Sequence, residues 1–212
     1  MILKKNILTF FSLFCVLPVL AQQNNLAGKG MSLSINLPGI IDIFDANLTA
    51  GAEFPIGKRL SVGVDAGYIY SSLYFSWSAY TSGYIIRPFI RYYTDKKEEV
   101  FVQAQLHYKY VTYQKEGWVN RDLVNGVPSY SEFSVVNNIK KAMGLHILVG
   151  GRQKLYSKTS GLFIEETIGF GVRYKTQDFP LRNTSSIRLF NDNKTSYFSP
   201  VLLMNVKLGY KF

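Results

Sequence analysis

The sequence predicts an all-β chain: an eight-stranded antiparallel transmembrane β-barrel with short turns at one end and long loops at the other. Three observations predict it. Apolar and polar residues alternate with period 2 in eight separate segments. The apolar faces of those segments end in tyrosine and phenylalanine. The connections alternate between short and long.

The N-terminus is set apart first. Lys4 and Lys5 form a basic start, Ile7 to Leu20 is an almost unbroken apolar run, and Val19-Leu20-Ala21 precedes Gln22. That is the build of a secretory signal peptide, so residues 1–21 are expected to be removed. The run is too short for a membrane helix, which needs about 20 apolar residues. Cys15 follows the bulky Phe14 and reads as apolar filler, not as a lipid anchor. It is the only Cys in the chain, so cleavage leaves a mature domain, residues 22–212, without disulfides. The formal charge of +10 falls to +8 with Lys4 and Lys5 gone. An exported basic chain points to an anionic lipid or polysaccharide surface and not to nucleic acid. No second apolar segment of 18 residues follows, while aromatics reach 15% of the chain.

The first segment is Gly30–Leu37, with Met31, Leu33, Ile35 and Leu37 opposite Ser32, Ser34 and Asn36. In the second, Asn47–Phe54, Leu48, Ala50, Ala52 and Phe54 oppose Asn47, Thr49, Gly51 and Glu53. Arg59–Tyr70 is the clearest: Leu60, Val62, Val64, Ala66, Tyr68 and Tyr70 alternate with Ser61, Gly63, Asp65, Gly67 and Ile69. In Gly83–Tyr93, Tyr84, Ile86, Pro88, Ile90 and Tyr92 oppose Arg87, Phe89 and Arg91.

The fifth segment, Val100–Tyr113, sets Val102, Ala104, Leu106, Tyr108 and Tyr110 against Gln103, Gln105, His107 and Lys109. The sixth, Ile139–Gly151, sets Met143, Leu145, Ile147 and Val149 against Ala142, Gly144, His146, Leu148 and Gly150. The seventh, Gly161–Lys175, sets Ile164, Ile168, Phe170, Val172 and Tyr174 against Phe163, Glu165, Thr167, Gly169, Gly171 and Arg173. Glu166 interrupts its apolar face, which a bulge or a place at a membrane interface would accommodate. The eighth, Leu202–Phe212, sets Leu202, Met204, Val206, Leu208, Tyr210 and Phe212 against Asn205, Lys207, Gly209 and Lys211.

Soluble sandwiches alternate too. Segment length separates the two cases, because a tilted strand crosses a bilayer in about 9–11 residues. Terminal phenol rings suit a headgroup zone. Pro55–Lys58, Thr94–Glu99 and Arg152–Ser160 are short turns, whereas Ser71–Ser82, Gln114–Asn138 and Thr176–Pro200 are long loops; residues 38–46 form a fourth, shorter loop on the long-loop side. Even strand number puts both termini on the short-turn side.

At the C-terminus Val206, Leu208, Tyr210 and Phe212 alternate to a final Phe. This looks like the last-strand signal read by the outer-membrane assembly machinery, with Leu208, Tyr210 and Phe212 as its residues. With the leader and the strand count, the chain resembles the small eight-stranded outer-membrane barrels of the OmpX, OmpA-barrel and OmpW kind, in the form common in Bacteroidota. The resemblance is one of architecture over nearly the whole mature chain. It implies a cell outer membrane location, with lipid and lipopolysaccharide as surroundings.

Eight strands leave an interior just filled by side chains. The inward set therefore predicts an ion-pair and hydrogen-bond network of Glu53, Asp65, Arg87, Arg91, Gln103, Gln105, His107, Lys109, His146, Glu165, Arg173 and Lys207, with room made by Gly63, Gly67, Gly144, Gly169 and Gly171. His107 and His146, the only histidines, read as polar members of this packed lumen; a metal site, proton site or catalytic base is the competing reading, and no Cys or His-Glu motif at ligand spacing accompanies them. No cofactor is expected.

Gln114–Asn138 carries Trp118, Arg121, Tyr130 and Phe133, and Thr176–Pro200 carries Arg182, Arg188, Phe190 and Tyr197; Ser185–Phe198 reads as a hairpin turning at Asn191–Lys194. Such loops suit a glycan or protein ligand, or else cap the barrel. Gly57 and Gly126 read as turn residues. The expected role is non-enzymatic, structural or in surface interaction. The alternatives are a narrow channel or carrier for small or hydrophobic solutes, and a lipid A-modifying enzyme using a Ser, a His and an acid.

Overall fold

In the computed structural model, the structure describes residues 30–41, 45–72, 78–95, 98–124, 127–155, 161–178 and 196–212. Eight strands follow in order: β1 (Ser32–Asn36), β2 (Ala46–Pro55), β3 (Leu60–Ser71), β4 (Ser78–Tyr93), β5 (Val100–Val124), β6 (Val127–Lys154), β7 (Leu162–Asp178) and β8 (Ser196–Lys211), with a 3-10 turn at Pro38–Ile41 after β1. Each pairs antiparallel with its neighbours, and the sheet closes on itself.

Closure falls to the shortest strand. The five residues of β1 pair with β2 on one side and with β8 on the other, Ile35 lying between Ala50 and Leu208. Backbone bonds extend the seam at both ends, from Leu37 N–H to the Val206 carbonyl (3.0 Å) and from Phe212 N–H to the Met31 carbonyl (2.9 Å). Among the described residues, every strand of the closed wall is paired on both sides, so the wall has no open edge to invite aggregation.

Because side chains alternate, closure sorts them into two sets. Leu202, Met204, Phe170 and Phe198 stand outside and are about 70% exposed, at 74, 71, 69 and 73%. Arg91, Glu165, Asp65 and Gln103 stand inside and are at most 2% exposed. The ordinary arrangement of a soluble protein, apolar in and charged out, is reversed. Tyr68, Tyr70, Tyr92, Tyr174 and Tyr210 lie on the outer face near strand ends, and Tyr84, on the outer face within β4, stacks on Tyr110 with ring centroids 5.5 Å apart.

Three expectations need correction. Gln114–Asn138 is not a loop. β5 and β6 continue through it as one hairpin, paired from Gln114↔Asn137 up to Val124↔Val127. Asn125-Gly126 lies between those last partners, the dipeptide most favoured in two-residue hairpin connections. β4 also starts early, at Ser78, and β8 at Ser196, which shortens the loops Ser71–Ser82 and Thr176–Pro200. Most of the expected Ser185–Phe198 hairpin, with Arg182, Arg188, Phe190 and Asn191–Lys194, lies outside the described residues. Finally, β7 carries no bulge. Its register runs unbroken against both β6 and β8, and Glu166 faces outward between Gly151 and Val206.

Glycine marks two kinds of place. A Cβ at the inward Gly171 would stand 2.5 Å from the Leu145 carbonyl oxygen and against the His146 ring. At the outward Gly151 it would meet only the Glu99 carbonyl oxygen, at 3.9 Å. Gly171→Ala should therefore destabilise the barrel by about 1–3 kcal/mol, as overpacking does. Gly151→Ala should stay within about 0.5 kcal/mol of wild type. Guanidinium unfolding in detergent, followed by circular dichroism, checks both.

Candidate functional site in the lumen

The lumen is filled by three tiers of polar side chains. The lowest lies near the short turns. There Arg91 of β4 donates from Nη1 to Glu53 Oε2 (2.8 Å) and Glu165 Oε2 (2.9 Å), and from Nη2 to Glu165 Oε1 (2.8 Å) and Gln103 Oε1 (2.6 Å). Arg152 of β6 reaches the same two carboxylates, at 2.5 Å from Glu53 and 2.9 Å from Glu165. Tyr93 and Ser61 each donate a hydroxyl to Glu53 Oε1 at 2.6 Å.

Two guanidiniums and two carboxylates thus neutralise one another inside the wall. β2 and β6 are opposite strands of the eight, so Arg152–Glu53 crosses the lumen. The guanidiniums also lie over aromatic faces, Arg91 Cζ at 3.8 Å from the Phe101 centroid and Arg152 Cζ at 4.1 Å from that of Phe163. A planar fork with several fixed donors is suited to such bidentate contacts, which a lysine cannot reproduce.

Gln103 Nε2 donates to Gln105 Oε1 at 2.9 Å and joins this tier to the next. Lys207 of β8 binds both oxygens of Asp65 on β3, at 2.9 and 2.7 Å. Beside them His107 and His146 stand 5.0 Å apart between ring centroids. Arg87 Nε donates to His107 Nδ1 at 3.3 Å, and Arg173 Nε to His146 Nε2 at 3.1 Å. A ring nitrogen that accepts from a guanidinium carries no proton, so both imidazoles act as neutral acceptors here. His107 Nε2 is buried with no hydrogen-bond partner among the described residues. Nor do three or more His, Cys, Asp or Glu side chains gather in metal-binding fashion among them.

The upper tier centres on Asp45. Lys109 pairs with its Oδ2, while Ser72 Oγ (2.9 Å) and Tyr113 OH (3.1 Å) donate to Oδ1. An apolar patch of Ile69, Ile85, Val111 and Tyr113 packs at this level on the inner wall.

The structure thus places all the residues expected inward on the inner face and divides them among tiers. Glu53, Arg91, Gln103 and Glu165 meet in the lowest. Asp65, Arg87, Gln105, His107, His146, Arg173 and Lys207 occupy the middle, and Lys109 the upper. Sequence reading missed Arg152, Tyr93, Tyr113 and Asp45. Arg152 keeps the inward parity of Leu148 and Gly150 but lies past the apolar run, where the sequence predicts a turn. Tyr93 and Tyr113 keep the parity of Arg91 and Lys109. Asp45 had no period to reveal it.

Leu208 and Tyr210 lie on the outer face of β8, with Phe212 just beyond; Tyr210 pairs with Leu33 and Leu162, and its ring meets Phe212 edge-on at 5.0 Å. In the hairpin, Trp118 is opposite Phe133 and Arg121 opposite Tyr130.

Fold and lumen together define a small closed antiparallel barrel with an apolar exterior and an ion-paired interior. No protein-family model matches the chain, and neither a curated protein nor a solved structure does.

Removing Arg91 alone would leave Glu53 and Glu165 buried with one cation between them. Arg91→Ala should cost about 3–5 kcal/mol, the usual penalty for breaking a buried pair from one side. Arg91→Lys should recover only part of it. Chemical unfolding of the detergent-solubilised chain gives both differences.

Proposed function

We propose that this chain is an exported, integral β-barrel of the cell outer membrane, processed after Ala21, with a non-enzymatic structural or surface-interaction role exercised through its outer loops. The observation that carries the reading is the reversal of polarity: a largely apolar exterior around a charged, ion-paired lumen. In hydrocarbon, every backbone group needs a partner within the wall, and a closed barrel supplies it. The tyrosines near the strand ends fit interfacial girdles. The architectural likeness to the OmpX, OmpA-barrel and OmpW kind, in its Bacteroidota form, agrees with this, as does reading Leu208, Tyr210 and Phe212 as a signal to the assembly machinery.

The β5–β6 hairpin supports the surface role. Beyond Lys115 on β5 and before Ile139 on β6, pairing to β4 and β7 stops among the described residues, so this segment stands clear of the wall. It presents Tyr130, Phe133 and Val135, all more than half exposed, at 53, 57 and 55%. Aromatic side chains on a protruding ribbon suit a glycan or protein ligand, beside the lipopolysaccharide that would surround the barrel.

Single cysteines test the placement. On intact cells, Trp118→Cys and Arg188→Cys should react with a membrane-impermeant maleimide, and Lys97→Cys only after permeabilisation. Recovery of the chain in soluble form without detergent would overturn the reading. In planar bilayers the wild type should give no steady open channel, because the lower tier crosses the lumen. A persistent single-channel current would instead favour the conduit.

A further inference from the structure

Glu166 is the one acidic residue among those lining a hollow of about 510 Å³ on the outer face of β6, β7 and β8. Its cross-strand partners are Gly151 and Val206. The hollow exists because Gly151 contributes no side chain to the outer row, and open space lies where a Cβ would project. Its rim is apolar: Val149, Ile164, Ile168, Met204 and Val206. None of its lining residues, among those described, is a cation.

Resting on the membrane reading above, this is a costly arrangement. Glu166 stands four residues in from Leu162, the first residue of β7, or about 10 Å along the barrel axis for a tilted strand. A carboxylate at that depth in an apolar belt requires a cation or a hydrogen-bond donor. Among the described residues, the lining offers Glu166 no cation: its polar side chains are those of Gln153, Thr167 and Asn205, the last two hydrogen-bonded to each other. A cation from outside the wall can pair with the carboxylate there, and the volume beside it is that of a small-molecule site.

We propose that this hollow holds a membrane lipid with a primary ammonium headgroup. The ammonium pairs with Glu166, and an acyl chain lies against Ile164, Ile168 and Met204. Charge complementarity selects the head, because a glycerol lipid with the same phosphate offers the carboxylate no ammonium to pair with. The apolar rim selects the tail.

The full chain in non-ionic detergent, offered phosphatidylethanolamine and phosphatidylglycerol of identical acyl chains, tests this by native mass spectrometry. Wild type should retain the ethanolamine lipid roughly three- to fivefold over the glycerol lipid, as a partly exposed ion pair allows. Glu166→Gln should bring that ratio to about one. Gly151→Leu, which fills the hollow, should remove both adducts. A wild-type ratio near one, or a preference that survives Glu166→Gln, overturns the site. So does a dimer lost on Gly151→Leu, which would make the hollow an interface between copies. Vesicle flotation keeps the two failures apart. A chain that fails to float with vesicles overturns the membrane reading, whereas one that floats without lipid preference overturns the lipid site alone.

Discussion

The pairing of β1 with β8 decides everything else in the molecule. Five residues of β1 hold both neighbours, and their register determines on which side of the wall each side chain of the sheet falls. Because the strand period is 2, a slip of one residue at this seam would carry Ser32, Ser34 and Asn36 outward and Leu33 and Ile35 inward. The interior could not absorb that change. Thr49, Glu53, Asp65 and Lys207 occupy it, and each is bound to partners on the inner face.

The lumen is held by cross-strand ion pairs rather than by packed hydrocarbon. Buried ion pairs seldom stabilise more than an apolar core of equal volume would, because desolvation offsets attraction. Here the exterior is apolar, so an apolar interior would leave nothing to distinguish inside from outside. The charged tiers supply that distinction. Arg91 and Arg152 reach Glu53 and Glu165 only when all four point inward, which opposes inverted or slipped registers. Aromatic faces at Phe101 and Phe163 then cover the guanidiniums from either side.

Much of this was legible from alternation alone, which is why the inner and outer sets of Arg59–Tyr70 and Val100–Tyr113 could be read residue by residue. What escaped has physical causes. Where a wall leaves its apolar surroundings, both faces become polar and the period of hydropathy fades. Gln114, Lys115 and Glu116 continue β5 without any apolar rhythm, and only Asn125-Gly126 marked the hairpin. The choice of partners was illegible for another reason. Arg152 meets Glu53 across 99 residues of sequence and half the barrel, a contact set by shear and closure rather than by either strand. Asp45, between the 3-10 turn and β2, reaches Lys109 from 64 residues away for the same reason.

The histidine pair supplies acceptors to two of the lumen's arginines. Among the described inward residues the lowest tier is balanced, while Arg87 and Arg173 enter the tier that also holds Lys207. The structure sets a neutral nitrogen acceptor beside each arginine, His107 Nδ1 for Arg87 and His146 Nε2 for Arg173. A neutral acceptor meets a guanidinium donor without adding a second ion whose own desolvation must be offset. Gly171, the cross-strand partner of His146, leaves the space in which that ring lies, while Gly144, opposite His107, leaves room for the Arg173 side chain that the His146 ring receives. The two histidines are thereby explained as positioning groups for arginine.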